Sequence, residues 1–293
     1  MEELQSQYQP YRDLYQKLNG GQRDDGRYKK NGQEDPNWLS SVSNPNVLEA
    51  YTRLGEVLST FKAGQILPKT FKIIPSLSNW EEILAMTRPE FWSPHATYEM
   101  TSLFVDHPRA RQTQRGWGRF FSLVLLDRIR DDLSSPPIYL CLKKAATHCA
   151  KAFIKGFLVP LCESGTCTLQ EAAAIGGILR SAKISAAHTA LALVALAEIH
   201  DYTMPLSVFM GALLARRSPL PWRTIITLVH HFMRFERDTT RTLPLVWHQA
   251  LLALVEHYEQ DLVPEQKEEL LHLVTHHHPS LPRVEELLTM ARV

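Results

Sequence analysis

From Val47 onward, apolar residues return along the chain at intervals of three and four, and no comparable stretch alternates with period two. That pattern predicts helices throughout and argues against a sheet. The first stripe comprises Val47, Leu48, Tyr51, Leu54, Val57, Leu58 and Phe61. Pro68 and Pro75 then bracket a segment, Lys69 to Ile74, that reads as extended, and Ser78 with Glu81 forms a capping-box pattern for a helix through Met86. Further helices are expected at about Pro94 to Val105, Ala110 to Leu126, Pro137 to Cys149, Ala150 to Leu161, Leu169 to Ser181 and Ser185 to His200. The series ends with Met204 to Ala215, Pro221 to Phe235, Thr242 to Gln260, Pro264 to Thr275 and Pro282 to Met290. In the helix from Leu243, residues Leu243, Val246, Trp247, Ala250, Leu251, Leu254, Val255 and Tyr258 make one wide apolar face. The segment Ala186 to Ile199 is apolar nearly all round, as expected of a helix in the middle of a stack.

About a dozen helices joined by short loops leave two architectures, a globular bundle or an α-solenoid of stacked antiparallel helix pairs, HEAT-like in form, and many helices of similar length make the solenoid the expected fold. The elbow between Ala152 and Leu179 organises the rest. Pro160 interrupts a dense apolar run, Gly165 supplies backbone freedom for a turn, and Thr168-Leu-Gln-Glu171 is a capping box that starts the next helix. Inside that helix Gly176 and Gly177 each cost about 1 kcal/mol relative to Ala, which points to a neighbouring helix packed very closely there. Residues 1–46, rich in Gln, Asn, Gly, Asp and Arg, have too little apolar content to bury and read as a disordered or docking arm, with residues 47–293 as the helical domain.

Composition changes this picture little. The chain has 293 residues, 44% hydrophobic, enough for an extensive core. Cys141, Cys149, Cys162 and Cys167 follow no secretory segment, which points to a reduced, intracellular setting, and the longest apolar run falls short of the roughly 20 residues that cross a bilayer. Charge changes it more. The formal net charge is only +1, yet Asp106 to Lys155 holds ten Lys and Arg against four Asp, a net +6, while Glu256 to Val293 holds eight acids against three bases, a net −5. Arg111, Arg115 and Arg119 recur every four residues, and Lys144, Lys151 and Lys155 at i, i+7 and i+11, so each set is expected to line one helical face. Such rows neutralise phosphates with little discrimination between bases. Their alternative is a solvated amphipathic face, partly paired with Asp127, Asp131 and Asp132.

Catalytic chemistry finds little support. Cys162 and Cys167 lack a second ligand pair at zinc spacing, and the run His276 to His278 precedes Pro279 at a helix end, where donors serve terminal carbonyls. Ser164 has Cys162 where an esterase elbow needs glycine, and His248, beside Trp247, reads as a hydrogen-bonded boundary histidine. With no glycine-rich phosphate loop, the sequence implies no enzyme, no cofactor and no metal.

Four blocks, in order, carry a resemblance: LPKTFKIIPSLSNWEEIL (Leu67 to Leu84), RFFSLVLLDRIRDDL (Arg119 to Leu133), LVPLCESGTCTLQEA (from Leu158) and LPLVWHQALLALVEHYEQDLVPEQKEELL (Leu243 to Leu271). Together they resemble the bystin family of eukaryotic ribosome-assembly factors over about Val47 to Val274. That family usually carries a long charged N-terminal extension, to which residues 1–46 would be a short counterpart. The resemblance implies a non-catalytic scaffold of small-subunit assembly and rRNA processing, placed near the head and beak of the pre-40S particle. It also implies a nucleolar and nuclear location, with passage to the cytoplasm. Expected partners are the small-subunit pre-rRNA together with ribosomal proteins and assembly factors of the pre-40S and 90S particles, with no membrane and no small-molecule substrate. Arg111, Arg115, Arg119, Lys144, Lys151 and Lys155 are the expected RNA contacts. Glu256, Glu259, Asp261, Glu265, Glu268 and Glu269 are the expected protein-docking face. The competing expectations are a helical adaptor that binds only proteins and a metal-dependent hydrolase.

Overall fold

A computed structural model describes residues 45–77, 79–107, 118–122, 124–126, 135–236 and 243–277. Among the described residues every regular element is helical: α1 (Pro45–Ser59), α2 (Lys69–Lys72), α3 (Trp80–Met86), α4 (Pro94–Asp106), α5 (Pro136–His148), α6 (Ala150–Phe153), α7 (Val159–Glu163), α8 (Leu169–Ser181), α9 (Ala186–Ala197), α10 (Met204–Leu214), α11 (Trp222–Met233), α12 (Leu245–Tyr258) and α13 (Pro264–His277). Residues 118–122 and 124–126 are helical as well. The chain is therefore all-α, as its periodicity requires. The expected arm at 1–46 lies outside the described residues except for its last two, which begin α1, and the helix expected at Pro282 to Met290 lies outside them altogether.

Most helix starts follow from a cap or a proline. Ser93 and Ser185 accept from the N–H groups of Ala96 and His188, opening α4 and α9. Prolines occupy the first turn of α4, α5 and α10, where the missing N–H costs nothing. The segment between Pro68 and Pro75 is not extended: it forms α2 and a 3₁₀ turn, Ile74–Ser76, because one short helical path buries Phe71 and Ile74 together. Ser78 of the expected capping box lies outside the described residues; α3 begins behind Asn79, whose side chain makes no cap. In the first stripe Leu54, Leu58 and Phe61 are buried but Val57 is half exposed, so the face is narrower than its spacing implies.

The helices pack in two rows. α4 packs on α5, α5 on α8, α8 on α10 and α10 on α12, while α6 and α7 pack on α9, α9 on α11 and α11 on α13. From α7 onward, successive helices of a row are thus alternate helices of the chain. α9 touches α6, α7, α10 and α11, which explains its all-round apolarity. The face read on α12 is inward, with Trp247, Ala250, Leu251, Leu254, Val255 and Tyr258 buried.

Side chains tie the ends of neighbouring helices together. The Arg216 guanidinium, just beyond α10, donates from Nη1 to the carbonyls of Leu179 (2.8 Å), Arg180 (3.1 Å) and Ala182 (2.7 Å), and from Nη2 to Ile184 (2.9 Å), closing the C-terminus of α8. Arg234, beyond α11, donates from Nη2 to the Ile199 carbonyl past α9 (3.0 Å), and Tyr258 at the end of α12 donates to Ser218 past α10 (2.9 Å). From α8 onward, then, helices of a row end side by side. Between α5 and α8 the sense differs: Tyr139, near the start of α5, lies 3.4 Å from Ser181 at the end of α8.

Candidate nucleic-acid interface

The expected cationic site depends on how the chain passes from α5 to α7. α5 buries Ile138, Cys141, Leu142, Ala145 and Ala146 and stops at Cys149, whose φ of −130° and ψ of 39° leave the helical region. α6 restarts at once, widens into a π turn at Ile154–Leu158 and continues as α7. Pro160 therefore does not interrupt the helix. The wider turn relieves the clash its ring would make with the carbonyl four residues earlier, on Gly156. A Cβ at Gly156 would overlap the backbone of Gly118, so two stretches of the main chain cross there too closely to admit a side chain at Gly156, and helix 118–122 is seated on the π turn. The elbow beyond α7 forms as its residues predict: Gly165 is left-handed at φ +64°, Glu171 N–H donates to Thr168 Oγ1 (3.3 Å), and Thr168 N–H donates to Glu171 Oε2 (2.6 Å). Gly176 meets α10, where an added Cβ would stand 3.4 Å from Val208 Cγ1, but Gly177 faces open space, so only the first of the pair marks close packing.

This geometry redraws the cationic set. The break at Cys149 ends the helical register between Lys144 and Lys151, so the single row expected from their spacing does not form. Lys144 instead donates to Asp106 Oδ2 at 2.8 Å, locking α5 to α4. Arg119 grips Glu81 of α3 from Nη1, at 2.8 Å to Oε1 and 3.0 Å to Oε2, so its charge is already matched within the protein. Arg111 and Arg115 lie outside the described residues. Lys151 and Lys155, one turn apart, are exposed, and Lys155 stands within the π turn beside the Gly118 crossing. Lys143 of α5 lies half-buried with its ammonium 6.0 Å from the Tyr139 ring centre.

The acids gather at the other end of the fold. Glu256 is half-buried on α12, Glu259 and Asp261 form a 3₁₀ turn, and Glu265, Glu268 and Glu269 are exposed on α13. Burial and the neighbouring Asp261 push the Tyr258 phenol up to about 12. In the row that runs from α5 to α12, α8 and α10 intervene between the lysines and this acidic end.

Groups that attract a catalytic reading have structural partners. Cys141 donates to Thr101 Oγ1 at 3.2 Å, and burial pushes its thiol up to about 12; burial raises Cys162 still further. Both therefore stay protonated and weakly nucleophilic at neutral pH. Ser164 Oγ donates to the Leu161 carbonyl (2.9 Å) and caps α7, and His248 Nδ1 lies 3.2 Å from the Pro244 carbonyl. His231, buried against Ala197 O (3.1 Å) and Arg234 Nη2 (2.8 Å), is pushed down to about 4 by burial, so it is neutral at pH 7. Among the described residues no three His, Cys, Asp or Glu side chains converge as metal ligands, and no helix is long and apolar enough to cross a membrane. The side chains of His276 to His278 lie outside the described residues.

Sequence reasoning overlooked Arg216, Arg234 and the paired acids Glu163 and Glu198 at the ends of α7 and α9. The acids had a legible signal, since a carboxylate at a helix C-terminus opposes the helix dipole. The arginines had none, because the helix ends they close lie more than 30 residues away in the chain.

A family model described as Bystin matches residues 9–292, reaching further in both directions than the four sequence blocks. Over 243 residues, 81% of this chain, the sequence is 45% identical to proteins named Bystin from Bos taurus and Homo sapiens, in each case covering 54% of the relative. Over 239 residues it is 43% identical to Bystin of Monosiga brevicollis, covering 80% of this chain and 56% of that protein. The chain thus spans about half the length of the curated relatives it matches, and none of these names denotes an enzyme. Since the match takes in the Gly118–Gly156 crossing, the capped elbow and the two rows of helices alike, the chain belongs to the bystin family.

Proposed function

We propose that this chain is a non-catalytic factor of small-subunit ribosome assembly, a scaffold that holds pre-rRNA on its α6 side and proteins elsewhere. Membership of the bystin family carries the reading. In support, exposed Lys151 and Lys155 stand apart from the acidic α12–α13 end, so one molecule offers separate surfaces to phosphates and to basic proteins. Arg111 and Arg115 remain in the proposed RNA set, whereas Lys144 and Arg119, occupied by Asp106 and Glu81, are secondary to it. The proposed setting is the nucleolus and nucleus, with export to the cytoplasm on pre-40S particles, near the forming head and beak.

The experiment is ultraviolet crosslinking of the chain to small-subunit pre-rRNA, paired with co-sedimentation with pre-ribosomes at rising salt. RNA association is expected to fall steeply from low to moderate salt. The double variant Lys151→Glu/Lys155→Glu is expected to lose most of the crosslink and to dissociate from the particles. An unchanged crosslink would overturn the assignment of these residues. Retention on particles without any RNA crosslink would instead establish the second reading, a helical adaptor that binds proteins alone.

A further inference from the structure

At two successive junctions of the stack, neighbouring helix C-termini are joined by an arginine of the chain itself. Arg216 closes α8 from α10, and Arg234, the C-cap of α11, closes α9. The junction one step earlier, between α7 and α9, is different. The C-cap of α9 is Glu198, the counterpart of Arg234, and it lines a cleft of about 340 Å³ with Glu163, the last residue of α7. Val159, Ala195 and Ile199 supply apolar walls, and Lys155 stands at the same cleft. No ion pair among the described residues involves Glu163, Glu198 or Lys155.

Both acids oppose the helix end that carries them, because the carbonyl end of a helix disfavours negative charge. Two such acids outnumber Lys155 at this cleft and favour a further cation, and carboxylates above aliphatic walls suit the flat, weakly hydrated guanidinium better than an ammonium.

We propose that the α7–α9 cleft is a docking site for a basic protein segment, whose arginine enters between Glu163 and Glu198 while its apolar neighbours rest on the wall formed by Val159, Ala195 and Ile199. The incoming arginine takes the place that Arg234 fills one step along the stack. The site is distinct from the acidic α12–α13 face and holds whether or not the chain contacts RNA.

The test is fluorescence anisotropy of the full chain, at physiological salt, with a short labelled peptide alternating leucine and arginine. The same peptide with citrulline for arginine is the control. The arginine peptide is expected to bind and the citrulline peptide to bind at least about tenfold more weakly, as loss of a charged hydrogen-bonded pair implies. Glu163→Gln/Glu198→Gln is expected to produce a similar loss. Glu198→Arg supplies the missing arginine and is expected to abolish binding while raising the melting temperature. Lys155→Glu tightens peptide binding here, the opposite of its expected effect on RNA. Equal binding of the two peptides, or binding unchanged in the double glutamine variant, would overturn the proposal.

Discussion

The span from α5 to α7 and the stack from α8 to α13 solve the same packing problem in different ways. In the later stack, helices of a row end side by side, and long polar side chains from one helix satisfy the last carbonyls of another, as Arg216 does for α8. In the earlier span the main chain itself is deformed: a break at Cys149, a π turn at Ile154–Leu158, and a glycine-on-glycine crossing. Regular stacking needs only side chains to close its helix ends. The irregular span positions backbone, and it is there that Lys151 and Lys155 remain exposed. π turns often mark functional positions, and this one carries Lys155.

Four measurements would break or sharpen that contrast. The largest effect is expected at Gly156→Val, whose Cβ has backbone rather than a movable side chain in its way; urea denaturation should show a loss of at least about 3 kcal/mol, or no folded protein. Arg216→Ala strips the donors from four carbonyls near the end of α8 and is expected to cost about 2–3 kcal/mol, with Arg216→Lys recovering only part, because one ammonium cannot span the same fork.

The third concerns pH. His231 is held neutral in the fold down to about 4, whereas an unfolded histidine protonates near 6.5. The unfolded chain therefore binds more protons between those values, and stability is lost as pH falls through that window, with a slope approaching about 1.4 kcal/mol per pH unit. His231→Gln should remove this part of the slope in denaturation curves taken at several pH values. The smallest effect is expected at the elbow, where Thr168→Ala removes the capping box and should cost about 1 kcal/mol, leaving the regular stack otherwise intact.

What could be read in advance was local. The capping box at Thr168 and Glu171 is legible because its two partners lie three residues apart, and the turn at Gly165 because glycine tolerates positive φ. The buried face of α12 follows from spacing along a single unbroken helix. The row Lys144, Lys151 and Lys155 failed for the corresponding reason: its spacing argument crossed Cys149, where the register ends. Gly176 and Gly177 look alike in sequence, yet one meets α10 and the other faces open space, because a single residue step turns a helix by about 100°.

The amino-acid order by itself settled that the chain is helical, where most helices begin, which face of α12 is apolar, and which family it resembles. These depend on propensities, caps and periodicities that act within a few residues. Tertiary structure alone decided that Arg119 and Lys144 are engaged by Glu81 and Asp106 while Lys151 and Lys155 stay exposed, and that Glu163 and Glu198 share one cleft. A charge acts on whatever folding brings within a few ångströms of it, and its position in the chain does not specify that neighbour.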